Sequence, residues 1–222
     1  MSGNLLFTLI FGAAFLALFG LAELLYHKMF VRAEHTRKMV HAVGGIIALL
    51  FPVYFTDHWP VLVLSAAFAL MLLLSRSFKL LPSINAVDRH TLGSIMFPIA
   101  VYGCFLAYYY SGKVTFFYHP VLILALADPA AALVGKCWPS GTYRVGKETK
   151  SLSGSLAFFT VAVTASALIL ARTNFMESEF WLVVFASAAV TTLTEGISRN
   201  GLDNLTIPLG ALAVLWLARL TL

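Results

Sequence analysis

The chain has 222 residues, of which 60% are hydrophobic and 11% charged, with a mean hydropathy of +0.87. Soluble domains carry about 25% charged residues, so composition excludes a soluble fold with a membrane tail and predicts a single integral membrane domain over residues 1–222. The net charge of +5 could suggest a nucleic-acid partner, but the placement of the cations argues against one.

A membrane helix needs about 20 mostly apolar residues, and such stretches recur along the whole chain. In order they are Asn4–Tyr26, Met39–Phe55, Trp59–Ser75, Leu92–Tyr110, Tyr118–Gly135, Ser153–Ala171, Phe180–Glu195 and Leu205–Leu222. The second is short and holds Gly44, Gly45 and Pro52, and the eighth holds Pro208 and Gly210, so either could be kinked or re-entrant. The expectation is an all-α, polytopic membrane helix bundle of seven or eight spans. Leu5–Leu25 is long enough to span and no cation precedes it, which argues against a cleavable signal.

Twelve of the fifteen Lys and Arg residues fall in alternate loops, leaving Lys113, Arg172 and Arg219 for the other side. Cytoplasmic loops are enriched in Lys and Arg. The basic loops are therefore expected in the cytoplasm, with both termini on the opposite side. Cys104 and Cys137 provide neither zinc spacing nor a disulfide framework.

The polar clusters also collect on the basic face. Arg37-Lys38 precedes the second span, and His41 shares a helix face with Arg37. Two cations and an imidazole could grip phosphate; alternatively Arg37 and Lys38 anchor a helix end at anionic lipid. Asp128, followed by Pro129, interrupts the fifth span. An ionisable residue within a membrane segment is costly and marks a functional site by default. A magnesium ligand fits, because Mg²⁺ is commonly held by one or two carboxylates plus substrate phosphates. The competing reading is a structural carboxylate bonded to a neighbouring helix.

The loop from Gly135 to Gly154 holds Lys136, Gly141, Arg144, Gly146, Lys147 and Lys150. Gly141–Lys147 fits the G-x-x-x-x-G-K part of a phosphate loop, but Glu148 stands where Ser or Thr should ligate Mg²⁺, and no α/β sheet is expected to carry it. Glycines still let backbone approach phosphates and lysines neutralise them, so Lys147 and Lys150 are the preferred phosphate ligands. A basic loop held at anionic lipid is the alternative. Ser151 or Ser153 could cap the sixth span and leave its N-terminus as an anion site. Glu195 closes the seventh span; Asp203 and Asn204 open the eighth, with Asn204 a candidate N-cap. These residues could bind metal or activate a hydroxyl, or serve as turn and cap chemistry alone. Glu23 could assist the site or pair with a cation.

These clusters, in this order, resemble the membrane family of CTP-dependent lipid kinases, which includes dolichol, phytol and farnesol kinases and a CTP-dependent diacylglycerol kinase. The matching residues are Arg37-Lys38 with His41, Leu92-Gly93-Ser94, Asp128-Pro129-Ala130-Ala131 with Gly135, Lys150-Ser151-Leu152 with Gly154-Ser155, Glu195, and Asp203-Asn204 with Pro208. The compact size and the form of these pieces look most like the phytol kinase branch. Members commonly carry an acid where this chain has Ser153; either Glu148 or another carboxylate replaces it, or this member is altered in activity.

The resemblance implies transfer of the γ-phosphate of CTP to the hydroxyl of a lipid alcohol at the cytoplasmic face of a bacterial inner membrane. Asp128, Glu195 and Asp203 would be catalytic, with Asp128 and Asp203 on Mg²⁺. Arg37, Lys38, His41, Gly135, Lys147, Lys150, Ser151, Gly154 and Asn204 would bind the nucleotide. The acceptor stays open among phytol, farnesol, geranylgeraniol, polyprenols and diacylglycerol. A phosphatidate cytidylyltransferase-like synthase of CDP-lipid is the enzymatic rival. A small transporter is the non-enzymatic one, disfavoured because transporters bind near the midplane and here the polar groups gather toward one face.

Overall fold

The computed structural model describes residues 3–86, 92–146, 148–173 and 179–221. Eight described helical segments are long and apolar enough to cross a membrane. They are α1 (Gly3–Lys28), the pair α2 (Ala33–Ala48) and α3 (Phe51–Tyr54), α4 (Trp59–Ser77), α6 (Gly93–Ser111), α7 (Thr115–Cys137), α8 (Leu152–Thr173), α9 (Phe180–Ile197) and α10 (Asp203–Thr221). A one-turn helix, α5 (Pro82–Asn85), lies between α4 and α6. The architecture is an all-α polytopic bundle with eight candidate spans.

The helix breaks follow local chemistry. The second span divides at Leu49-Leu50, just before Pro52, whose ring lacks a donor and clashes with the preceding turn. The eighth span, in contrast, runs through Pro208 without a break. The loop between Gly135 and Gly154 is ordered: Thr142–Val145 (β1) and Glu148–Ser151 (β2) pair antiparallel, with Tyr143 opposite Lys150 and Arg144 opposite Thr149. Gly141 and Gly146 take positive φ at the ends of β1, a conformation glycine adopts without steric cost.

The centre of the bundle is α7. Of its apolar window 56% is buried, against 22% for α1. It is reached closely from two sides because the contacting residues are small. A Cβ added to Gly45 of α2 would lie 2.4 Å from the Ala125 Cβ of α7. Gly135 of α7 and Gly154 of α8 meet backbone to backbone, and a Cβ on Gly154 would stand 2.9 Å from the Ala131 carbonyl oxygen. Small residues permit this approach in membrane bundles. Phe11, Phe51, Phe55, Phe105 and Phe117 fill the core at the end away from the basic loops.

Polar ties fix the opposite, basic end. The Asn204 side chain donates from Nδ2 to the Gly93 carbonyl at 2.6 Å, and the Leu92 N–H donates to the Asn200 carbonyl at 2.9 Å, joining α6 to the α9–α10 turn. The expected N-cap role of Asn204 is thereby corrected. Asn204 lies inside α10 with its amide committed to α6, while the Asp203 carboxylate accepts the Asn204 N–H at 3.0 Å. Glu23 of α1 accepts Ser83 Oγ at 2.5 Å and pairs with His27 at 3.2 Å, and Thr36 Oγ1 donates to the Ser83 carbonyl at 2.5 Å, so α5 is tied to α1 and α2.

Candidate active site

Asp128 is buried, 4% exposed, one residue before the proline that interrupts the hydrogen-bond ladder of α7. Lys38 Nζ donates to Asp128 Oδ2 at 2.6 Å. His41 Nε2 lies 3.1 Å from the Leu124 carbonyl and 3.6 Å from the same Asp128 oxygen. Pro129 cannot donate to the Ala125 carbonyl, and one residue earlier a side chain from α2 reaches the α7 backbone. Backbone groups loosened within a membrane need such partners. His41 therefore braces α7 and Asp128 in this geometry.

A second ion pair lies across the site. Lys150, on β2, donates to the carboxylate of Glu195 at 2.7 Å and also to the Glu195 carbonyl, and both side chains are about nine-tenths buried. The hairpin thus closes over the end of α9. Tyr143 Oη lies 3.1 Å from Ser155 Oγ, and Glu148 accepts the Asn200 N–H at 3.1 Å. Ser151 Oγ accepts the Gly154 N–H at 3.1 Å, which caps α8 as the sequence suggests.

Two cavities flank these pairs. A polar one of about 210 Å³ lies under the hairpin, between the ends of α7, α8 and α9, lined by Gly135, Lys136, Lys150, Ser151, Gly154 and Glu195 among others. A narrow one of about 100 Å³ enters the bundle between α1, α2, α4 and α6. Its mouth carries Arg37, His41 and Asn204, and its walls are Phe15, Phe19, Phe68, Phe97 and aliphatic residues. Lys38, Asp128, Glu148 and Asp203 border both cavities.

Every described residue that the resemblance assigns to catalysis or nucleotide binding lines one cavity or the other, whereas Glu23 lines neither and is tied to Ser83 and His27; Lys147 lies outside the described residues. Gly135 and Gly154 also serve as the α7–α8 contact, so their lack of side chains has a packing cause independent of any ligand. Glu148, raised from sequence only as a substitute acid, stands at the junction. Ser153 lines neither cavity: its hydroxyl donates to the Trp138 carbonyl at 2.5 Å and accepts the Ser140 N–H at 3.2 Å, stapling the loop that precedes the hairpin. Gly44 and Ala48, which line the apolar cavity, carry no polar atom that could have announced them.

No three His, Cys, Asp or Glu residues gather into a metal cage among the described residues. Asp128, Glu148 and Asp203 each border both cavities, and one or two carboxylates are enough for a hard cation that completes its shell with phosphate oxygens and water.

A charged, two-chambered site within one face of a membrane helix bundle defines an integral membrane protein with its polar chemistry at the helix ends. The chain is 32% identical over 197 residues to the phytol kinase of Synechocystis sp., covering 88% of this chain and 84% of that protein. It belongs to the phytol kinase and polyprenol kinase family. No protein-family model and no solved structure matches it.

Proposed function

We propose that this protein transfers the γ-phosphoryl group of CTP to the primary hydroxyl of an isoprenoid alcohol. The observation that carries the reading is the meeting of the polar and apolar cavities at Lys38, Asp128, Glu148 and Asp203. Phosphates in the polar cavity and a lipid hydroxyl at the mouth of the apolar one would come together there. Similarity to a phytol kinase supports the same chemistry.

In this reading the alcohol oxygen attacks the γ-phosphorus, the bond to the β,γ-bridging oxygen breaks, and CDP leaves. Such transfer is mostly positioning and charge stabilisation. Lys150, with Lys147 beside it in sequence, neutralises phosphate oxygens from the hairpin, and Arg37 and Lys38 do so from α2. The α8 N-terminus, capped by Ser151, adds its oriented backbone amides. Asp128 would hold Mg²⁺, which when bound would supply charge neutralisation on the triphosphate. Asp203 borders the acceptor cavity and receives the hydroxyl proton. Glu195 does not border that cavity, and it serves by holding Lys150. The apolar cavity is small, about 100 Å³, which suits one isoprenoid chain better than the two chains of diacylglycerol. The basic face is the cytoplasmic one, where CTP is available.

The test uses purified protein in detergent with Mg²⁺, a panel of lipid alcohols, and CTP labelled in separate reactions at the γ- or α-phosphorus. Label passing from the γ position into an organic-phase monophosphate, with CDP released, is the expected result. No transfer to any alcohol, together with α-label entering lipid when phosphatidate is supplied, would replace the kinase with a CDP-lipid synthase.

A further inference from the structure

The apolar cavity has a graded wall. Arg37, His41, Gly44 and Ala48 all line it, at spacings of four, three and four residues along α2, so they form one face of that helix. The two charged or polar side chains stand at the mouth, and the two smallest stand deeper. Beyond them Phe51, on the broken continuation of this span, also lines the cavity. Its ring packs against Phe11 at 5.1 Å, Phe55 at 5.7 Å and Phe117 at 6.5 Å between centroids. That aromatic cluster belongs to the fully packed core, so it closes the cavity as a floor.

At a rise of about 1.5 Å per residue, Gly44 lies about 10.5 Å and Ala48 about 16.5 Å along α2 from the level of Arg37, and Phe51 follows beyond the helix break. A zig-zag carbon chain with bonds of about 1.5 Å advances about 1.25 Å per atom. The main chains of ten-, fifteen- and twenty-carbon isoprenols therefore reach about 10, 15 and 20 Å. The two levels on α2 fall close to the first two of those lengths, and Phe51 of α3 lies deeper.

We infer that Gly44 and Ala48 of α2, with Phe51 beneath them, gauge the chain length of the lipid alcohol, admitting acceptors of up to about twenty carbons. This rests on the kinase reading above. Gly44 carries no side chain at the first level; a Cβ there would meet Phe15 at 3.4 Å and Leu18 and Phe97 at 3.8 Å, so a larger side chain would fill that part of the passage. A methyl at Ala48 leaves it open at the second. Substitution at each level should cut the acceptor range at a different length, and no change in nucleotide chemistry is required.

The experiment measures kcat/KM of the protein in detergent with geraniol, farnesol and phytol, and for Phe51→Leu also with the longer geranylfarnesol, at saturating CTP. Gly44→Leu is expected to keep geraniol and to lower farnesol and phytol by roughly ten- to a hundredfold relative to it. Ala48→Leu is expected to keep geraniol and farnesol and to lower phytol by the same factor. Gly44→Ala, whose added methyl meets only ordinary contacts, is expected to show a smaller shift in the same direction and guards against loss of the fold in the larger variant. Phe51→Leu is expected to raise relative activity on alcohols longer than phytol. Variants that change activity equally on all three alcohols, or not at all, would overturn the gauge while leaving the kinase in place. A parent protein that phosphorylates none of the alcohols would overturn the kinase reading itself.

Discussion

Lys38 Nζ lies 2.6 Å from Asp128 Oδ2, joining the entrance of α2 to the interrupted centre of α7. The aspartate side chain is 5% exposed and the lysine 22%, so the ammonium is the aspartate's route of compensation in a place where an unpaired carboxylate would be expensive. The same two residues border both cavities. Pairing sets a carboxylate and its cation at the point where, in the proposed reaction, phosphate and metal arrive.

Asp128→Asn is expected to lower CTP-dependent phosphorylation by on the order of a thousandfold, because a transition-state electrostatic partner is lost. The amide keeps the volume and can still accept from Lys38, so elution volume and helical content should be unchanged. Activity equal to the parent would remove Asp128 from the mechanism.

Removing the cation alone should do something different. Lys38→Met leaves the Asp128 charge without its partner, at a cost of up to about 3 kcal/mol once the lysine's partial exposure is allowed for. The double variant Lys38→Met with Asp128→Asn should recover about 1–2 kcal/mol of that loss, since the two residues are in direct contact. Thermal unfolding in detergent of the four proteins closes the cycle. Additive effects would mean that the 2.6 Å contact carries no net coupling.

Much of this organisation was legible in the sequence, and the residues show why. Asp128 announced itself because a carboxylate within an apolar run is rare and costly. The eight spans were readable because each supplies about 20 apolar residues, and Pro52 marked the break in the second. The hairpin was not readable. Its strands are four residues each, exposed on one side, and Thr142–Ser151 has no apolar alternation to distinguish strand from loop. Nor was the distinction between Asp203 and Glu195. Both are acids at helix ends, and only the fold places Asp203 on both cavities and Glu195 against Lys150.

That distinction is open to kinetics. Glu195→Gln should loosen Lys150 and raise the KM for CTP by about tenfold with a smaller change in kcat, the pattern of lost ground-state binding. Asp203→Asn should lower kcat and leave the KM for CTP within about threefold. Steady-state curves at saturating alcohol separate the two. A kcat collapse in Glu195→Gln with unchanged KM would make Glu195 the hydroxyl's proton acceptor in place of Asp203.

Ser153 stands where the family resemblance leads one to expect an acid, and its geometry says what that costs. The hydroxyl accepts the Ser140 N–H and donates to the Trp138 carbonyl, and it lines neither cavity. Ser153→Asp should keep the accepting role, lose the donation to the Trp138 carbonyl, and leave activity within about twofold, because the half-buried side chain lines neither cavity. Glu148→Gln, at the junction of the two cavities, should lower kcat by at least about tenfold. Measuring both in the γ-label assay ranks the two positions. A large gain in Ser153→Asp, with Glu148→Gln indifferent, would mean that the acid of the relatives reaches the phosphates from position 153 and that this chain works without it.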